Sequence, residues 1–284
     1  MSARHSDPRA DLHAHTTASD GSLSATDLVR RAAENDVSVL AITDHDTLDA
    51  VREAIVAGVE HGVRIVPGIE LSVRMPAGTM HLLGYFFEPE PPAIVARLAE
   101  LRAARERRAQ SIVARLASLG APIDYAQVRA RARGSIGRPH IAETLVAAGH
   151  ATDRQDAFDR FLADGAPAWV PSEGLAPEEA VELVRAGGGA PVLAHPASLR
   201  MSAKDLTRFV QLLTAAGLAG IEVHRPEHTE ERRRQLRTLA QRFGLVATGG
   251  SDFHHPEGRN QPGDSGDPPL PLDAVDRLLA TCGC

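Results

Sequence analysis

The chain has 284 residues, 43% hydrophobic and 24% charged, enough for one sizeable α/β domain or a barrel with a smaller insert. A formal net charge of −6 and an aromatic content of 4% exclude a protein that coats nucleic acid or membrane through bulk positive charge, or one that stacks bases on a broad aromatic face. The only cysteines, Cys282 and Cys284, sit together near the C-terminus, so neither a disulfide framework nor a cysteine zinc site is expected. A polar opening and the lack of any long apolar run predict a cytoplasmic protein with no membrane span.

In chain order, short apolar runs alternate with longer stretches of helical period, the pattern of repeated β-α units. Strands are predicted at Ala10–Thr16, Val37–Thr43, Val63–Leu71, Met80–Phe87, Pro191–His195, Gly220–His224 and Leu245–Gly249. Helices are predicted at Thr26–Asn35, Asp49–His61, Pro177–Ala186, Ala203–Ala216 and Thr229–Phe243. Parallel strands need such crossovers, so a barrel or a doubly wound sheet is expected. Between Pro89 and Pro171 the rhythm gives way to helices alone, at Pro92–Leu119, Tyr125–Arg133, Pro139–Ala148 and Asp153–Ala163. That stretch is too long for a barrel loop. Residues 91–169 are therefore expected to form an inserted helical subdomain, with 1–90 and 170–284 forming the barrel. Leaving after the fourth strand, the insert should start from the face where barrel active sites lie. Glu257–Pro271 reads as a loop before a last helix, Leu272–Thr281.

The first strand carries Asp11-Leu12-His13-Ala14-His15-Thr16, followed by Ser19-Asp20-Gly21. Strand residues two apart point to the same side, so His13 and His15 converge. That spacing suits a divalent cation, and it equally suits a packed or surface pair. The second strand runs into Thr43-Asp44-His45-Asp46, the third ends Gly68-Ile69-Glu70, and the fourth holds His81. The fifth ends Ala194-His195-Pro196, and the seventh is followed by Ser251-Asp252-Phe253-His254. An apolar barrel core has no use for these histidines and acids, because buried charge is costly unless paired or metal-bound. Together they predict a metal cluster.

In order and spacing these motifs resemble the polymerase-and-histidinol-phosphatase (PHP) family, on both sides of the helical stretch. Within it, the chain looks most like the small phosphoesterases that act on nucleoside 3′,5′-bisphosphates, some of whose relatives shorten RNA from its 5′ end. The resemblance implies an α/β fold, a distorted (β/α)7 TIM-like barrel, with two or three divalent metals. One metal would take His13, His15, Glu70 and Asp252; a second would share Glu70 and add His81 and His195; a third would take Asp20, His45 and His254. At the Asp20 position many histidinol-phosphatase relatives carry His, a softer ligand. The implied chemistry is in-line attack on phosphorus by a metal-bridging water held by His13, His15, Glu70 and Asp252. Manganese is the first choice because mixed His and carboxylate sites accept it; iron, zinc and magnesium also fit. The expected partner is a small phosphorylated nucleotide or a short RNA end, with no membrane and no DNA-binding surface.

Several other residues have both a functional and a plain reading. Arg138 and His140 open a predicted helix in the insert, where a helix N-terminus and a guanidinium could grip phosphate; a solvated Arg and a capping or exposed His fit equally. His228, after the sixth strand and near Glu222 and His224, could bind phosphate or act as a general acid, or be a loop histidine. Asp46 reads first as a helix N-cap and second as a partner orienting His45. The run Arg97, Arg102, Arg105, Arg107, Arg108 and Arg115 reads as the wet side of a helix rather than an attractor for polyanions. His5, His61, His150 and His255 receive no role. The leading expectation is release of the 3′-phosphate from a nucleoside 3′,5′-bisphosphate, with 5′-3′ exoribonuclease action on short RNA as the close alternative. Carbon–nitrogen bond hydrolysis of the amidohydrolase type is a further alternative, but Lys204, the sole lysine, lies at no strand end and cannot bridge metals. A scaffold without catalysis is set aside because no position of the metal set is missing.

Overall fold

The computed structural model describes residues 8–75, 79–86, 88–132 and 134–282. His5, Phe87, Arg133 and Cys284 lie outside the described residues. The seven strands are β1 (Arg9–Asp11), β2 (Val37–Ile42), β3 (Arg64–Arg74), β4 (Thr79–Tyr85), β5 (Ala190–Leu193), β6 (Gly220–His224) and β7 (Val246–Gly249). They form one sheet in chain order. β1 to β3 run parallel, as do β5 to β7, but β4 is antiparallel to both its neighbours. Backbone hydrogen bonds join the chain beyond β1 to the chain beyond β7: Leu12 to the Gly249 carbonyl (3.2 Å), Asp252 to His13 (2.8 Å) and His15 to Phe253 (2.9 Å). These bonds draw the two edges of the open sheet toward each other, in the manner of the TIM-like fold, at residues the sequence singled out.

α1 (Ala25–Glu34) and α2 (Val51–His61) cross over between the first three strands. α1 shows why such segments become helices: Ser24 caps it by accepting from the Asp27 amide, and Ala25, Leu28, Val29 and Ala32 form one buried stripe. Between β4 and β5 lie α3 (Pro92–Ser118), α4 (Tyr125–Arg131), α5 (Arg138–Ala147) and α6 (Arg154–Ala157), the last running into a π turn at Phe158–Leu162. α7 (Pro177–Ala186), α8 (Ala203–Ala215) and α9 (Glu230–Phe243) resume the crossover rhythm, and α10 (Leu272–Leu279) ends the fold.

Alternation along the strands sorts side chains into two layers. Leu40, Ile42, Ile69 and Leu71 face the surrounding helices. Val39, Ala41, Val66, Leu83 and Tyr85 face inward, where Ala274, Val275 and Leu278 of α10 plug the floor. Continuing the inward rows of β3 and β4 away from that floor brings Glu70 and His81 to the opposite mouth.

The direction of β4 corrects one expectation. Because β4 runs downward, its first residues, not its last, stand at the mouth, and the chain leaves it at the floor. The insert therefore does not start from the active-site face. α3 carries it back up: its 27 residues span about 40 Å at 1.5 Å per residue. Ile94, Leu98 and Leu101 of its first half join the barrel core. Ala109, Ile112 and Leu116 of its second half join a separate core with Val128, Ile141, Leu145 and Phe161.

Candidate metal centre

At the barrel mouth, His13 Nε2 stands 3.4 Å from Glu70 Oε2 and 3.2 Å from Asp252 Oδ1. His15 Nε2 stands 3.2 and 3.3 Å from the same two oxygens. A cation about 2.1 Å from each ligand atom needs those atoms roughly 3.0–3.4 Å apart. Both Nε2 atoms are buried without a hydrogen-bond partner, although imidazoles in a packed interior normally find one. Orphaned nitrogens and carboxylate oxygens at this spacing fit a divalent metal ion.

The other oxygen of Glu70, Oε1, lies 2.9 Å from His81 Nδ1 and 3.0 Å from His195 Nε2, which are 3.2 Å from each other. A third group surrounds Asp20: His254 Nε2 is 3.3 Å away, and His45 Nε2 and His15 Nδ1 are each 3.7 Å away. His45 also turns Nδ1 to Glu70 Oε2 at 3.2 Å, where it too has no hydrogen-bond partner. All nine residues expected in the metal set thus meet at the mouth, in overlapping groups with Glu70 at the centre.

The structure adds residues that the sequence did not assign. Glu222 of β6 holds His13 Nδ1 at 2.9 Å, which fixes the ring so that Nε2 faces the centre. Its second oxygen accepts from the His195 amide and from Arg225. Arg225 is also 3.0 Å from Asp252 Oδ2, leaving Oδ1 for the two histidines. Asp11 accepts from the amides of His13, Ser251 and Gly263, tying the ligand loops after β1 and β7 together. His195 (φ 25°) and Asp252 (φ 53°) occupy the left-handed region, a strained backbone that tight surroundings must enforce.

Charge follows from this packing. Burial works against ionised Asp20, Glu70 and Asp252, yet neighbouring imidazoles, with Arg225 beside Asp252, hold all three well below the usual carboxylate range. Burial likewise opposes ionised Glu222, but His13 and Arg225 bring it down to about 2. Burial lowers His45 and His81, favouring the neutral ring whose lone pair can bind metal. Burial opposes a proton on His15, but Asp252 and Glu70 raise it to about 10. That proton occupies the position a cation would take.

The mouth opens into a cavity of about 150 Å³, lined from the barrel by Asp20, His45 and His81 and from the insert by Arg105, Arg108 and Arg138. Ile112, Ile141 and Phe158 add an apolar wall. Arg138 donates to the Leu162 carbonyl (3.0 Å) and to Asp164 (2.7 Å) and lies 5.8 Å over the Phe158 ring. His140 is buried, accepts from the Gly137 amide, and lines an adjoining cavity with Asp20 and Glu143. His228 does not join them. Its Nδ1 meets the Val223 carbonyl, and it lines a different cavity with Arg9 and Arg233, because the loop after β6 turns Arg225 rather than His228 toward the centre.

Two further expectations change. α2 begins at Val51 with Ala50 as its cap, so Asp46 is no N-cap, and it does not orient His45. It accepts from the Ser72 amide at 2.9 Å and pairs with Arg105, which also donates to Ser72 Oγ and, at 3.1 Å, to the Ile136 carbonyl. The basic run of α3 is also divided. Arg97, Arg102 and Arg107 make exposed ion pairs, whereas Arg105 and Arg108 turn into the cavity. Arg105→Ala should lower the unfolding free energy by about 3 kcal/mol, because Asp46 is then left buried and unpaired. Urea denaturation measures this, and a loss under about 1 kcal/mol would show that the pair does not tie insert to barrel.

Residues 11–100 match the PHP domain family model. The chain is 36% identical to a 5′-3′ exoribonuclease of Haemophilus influenzae, over 95% of this chain and 96% of that one. It is 35% identical to a 3′,5′-nucleoside bisphosphate phosphatase of Chromobacterium violaceum, over 92% of this chain and 93% of that one. The structure is similar to a crystal structure described as a putative metal-dependent phosphoesterase of Bifidobacterium adolescentis, with TM-score 0.87 and 32% identity over 98% and 97% of the two chains. With relatives this similar along nearly its whole length, the chain belongs to the PHP domain family.

Proposed function

We propose that the chain is a metal-dependent phosphoesterase that removes the 3′-phosphate of nucleoside 3′,5′-bisphosphates. The carrying observation is a single cavity with a cage of imidazoles and ionised carboxylates on one side and arginines on the other. The bisphosphate phosphatase relative supports the substrate class. His13, His15, Glu70 and Asp252 would hold one divalent ion, Glu70, His81 and His195 a second, and Asp20, His45 and His254 a third, with manganese the first choice. When bound, such ions supply a water of lowered pKa and neutralise charge on the phosphoryl oxygens.

The chain's own residues supply the rest. Glu222 and Arg225 fix the orientation of His13 and Asp252, so the cage is organised before substrate arrives. Arg138 stands ready for the substrate's anionic end, and the wall of Ile112, Ile141 and Phe158 keeps water from the opposite side. The insert closes the mouth as a substrate cap. Lys204 lies exposed on α8, outside the metal cage, which counts against a lysine-bridged site of the kind carbon–nitrogen hydrolysis was expected to need. The enzyme would act in the cytoplasm on small nucleotides; separately, no helix among the described residues is long and apolar enough to cross a membrane.

A second reading, 5′-3′ exoribonuclease action on short RNA, is favoured by the relative of that name. Incubation with adenosine 3′,5′-bisphosphate and, separately, with a 5′-phosphorylated oligoribonucleotide distinguishes the two. Free phosphate from the first supports the bisphosphatase reading, and a ladder of mononucleotides from the second supports the nuclease. Hydrolysis of neither would remove both. Arg138→Ala should raise KM for the bisphosphate about tenfold while kcat changes little, as expected for a group that holds substrate in ground and transition states alike. An unchanged KM takes Arg138 out of the substrate site.

A further inference from the structure

The cavity that holds His228 lies outside the metal cage, between the loop after β6 and residues 263–269, with Arg9 of β1 at its side. It measures about 590 Å³, a size that accommodates a ligand as large as a mononucleotide. The His228 ring is 4% exposed. Its Nδ1 meets the Val223 carbonyl at 3.0 Å, and because a carbonyl only accepts, Nδ1 carries the proton. Burial, with Arg225 acting the same way and the Val223 bond opposing, holds the ring below its ordinary pKa and so neutral. Nε2 is then a bare acceptor, buried and with no hydrogen-bond partner among the described residues. Arg233 is buried too, and its guanidinium makes long bonds, 3.5 Å from Nε to Glu230 and 3.4 Å from Nη1 to the Arg225 carbonyl. Asp264 and Asp267 line the same cavity. A buried acceptor and a buried guanidinium left weakly engaged destabilise the fold unless a ligand completes them. The fitting occupant has an anionic group for Arg9 and Arg233, and hydroxyl or amino donors for His228 and the two aspartates.

We propose that this cavity is a second binding site, for a nucleoside 5′-monophosphate, and that its occupation slows the enzyme. The phosphate meets Arg9 and Arg233, and ribose hydroxyls or an amino group of the base meet His228 Nε2 and the acids. Such a nucleotide is what remains of a 3′,5′-bisphosphate once the 3′-phosphate has left, so the identity of the ligand rests on the phosphoesterase reading above. Arg225 couples the two sites. Its carbonyl accepts from the His228 amide at 3.2 Å and from Arg233, while its guanidinium holds Glu222 at 3.2 Å and Asp252 at 3.0 Å. Drawing Arg233 onto a phosphate withdraws it from that carbonyl and loosens the residue that orients Asp252. Product would then feed back on the cage without entering it.

Calorimetric titration of the purified enzyme with adenosine 5′-monophosphate should find two sites per chain, one in the catalytic cavity and one here. Arg9→Met, at an exposed position, should leave one. His228→Asn keeps a donor for the Val223 carbonyl but lacks Nε2, and it should also leave one. In steady-state hydrolysis of adenosine 3′,5′-bisphosphate, the monophosphate should lower the wild-type kcat about twofold or more at saturating substrate. In Arg9→Met only competitive inhibition should remain, with kcat and KM in its absence within about twofold of wild type. A single site in the wild type, or two sites persisting in either variant, overturns the proposal. Inorganic phosphate filling the second site as tightly as the nucleotide overturns the nucleoside assignment, and purely competitive inhibition of the wild type overturns the coupling. If the wild type does not hydrolyse the bisphosphate, the phosphatase reading fails by itself, and the titration alone decides the second site.

Discussion

Asp252→Asn should abolish phosphate release, lowering kcat by about 10³-fold or more, while the protein stays folded. Oδ1 of Asp252 is, with Oε2 of Glu70, one of two carboxylate oxygens that face both His13 and His15, and Oδ2 is held by Arg225. The amide preserves shape and tolerates the φ of 53°, but it carries no charge to hold a cation, and the catalytic share of a bound metal is several kcal/mol. Asp252→Ala should lose activity to the same degree and in addition lower stability by about 1–2 kcal/mol, since alanine is strained in the left-handed region. Steady-state phosphate release and thermal unfolding separate the two effects. An Asn variant within tenfold of wild type would remove Asp252 from the metal cage.

Glu70 should show the second large effect, read out by metal content. Its oxygens serve different groups, Oε2 facing His13, His15 and His45, and Oε1 facing His81 and His195. Glu70→Gln should therefore empty both groups at once. His254→Ala should cost only the ion beside Asp20. Elemental analysis of the purified variants counts the difference, and equal metal content in Glu70→Gln and wild type would sink the shared-carboxylate arrangement. Chelation of the wild type should remove activity and lower Tm, because an ion held at a thousand times its Kd contributes about 4 kcal/mol to the folded state. Restored divalent metal should return both.

The strands and the metal set were legible because they obey short rules: an apolar run with an acid or histidine at its end, with parity two. The nine residues expected as ligands, whose grouping came from the family resemblance, lie together at the mouth. The direction of β4 was not legible. A strand's apolar pattern reads the same in both directions, and His81, the second residue of its predicted strand, joins the cage because β4 enters at the mouth. Glu222 was visible as an acid on a strand, but nothing in a local pattern separates a carboxylate that touches metal from one that holds a histidine in place. Asp46 was misread because the helix signal after it begins four residues later than its own position suggests, and its partner Arg105 is distant in sequence. The inward pair Arg105 and Arg108 shares a face with Ala109 and Ile112, but Arg97 and Arg115 fall at nearly the same helical angle, so phase alone does not single the pair out.

The long climb of α3 from floor to rim has a consequence for how this architecture can vary. Its first turns are fixed in the barrel core, so every residue beyond them is set by counting from the floor. Adding or deleting a single residue there would rotate the far half by about 100° and shift it by 1.5 Å. The two inward guanidiniums would swing toward solvent together. Length changes in this rod are compatible with the same chemistry only in steps that restore the helical phase, near four or seven residues, and each such step resets the headroom above the cage.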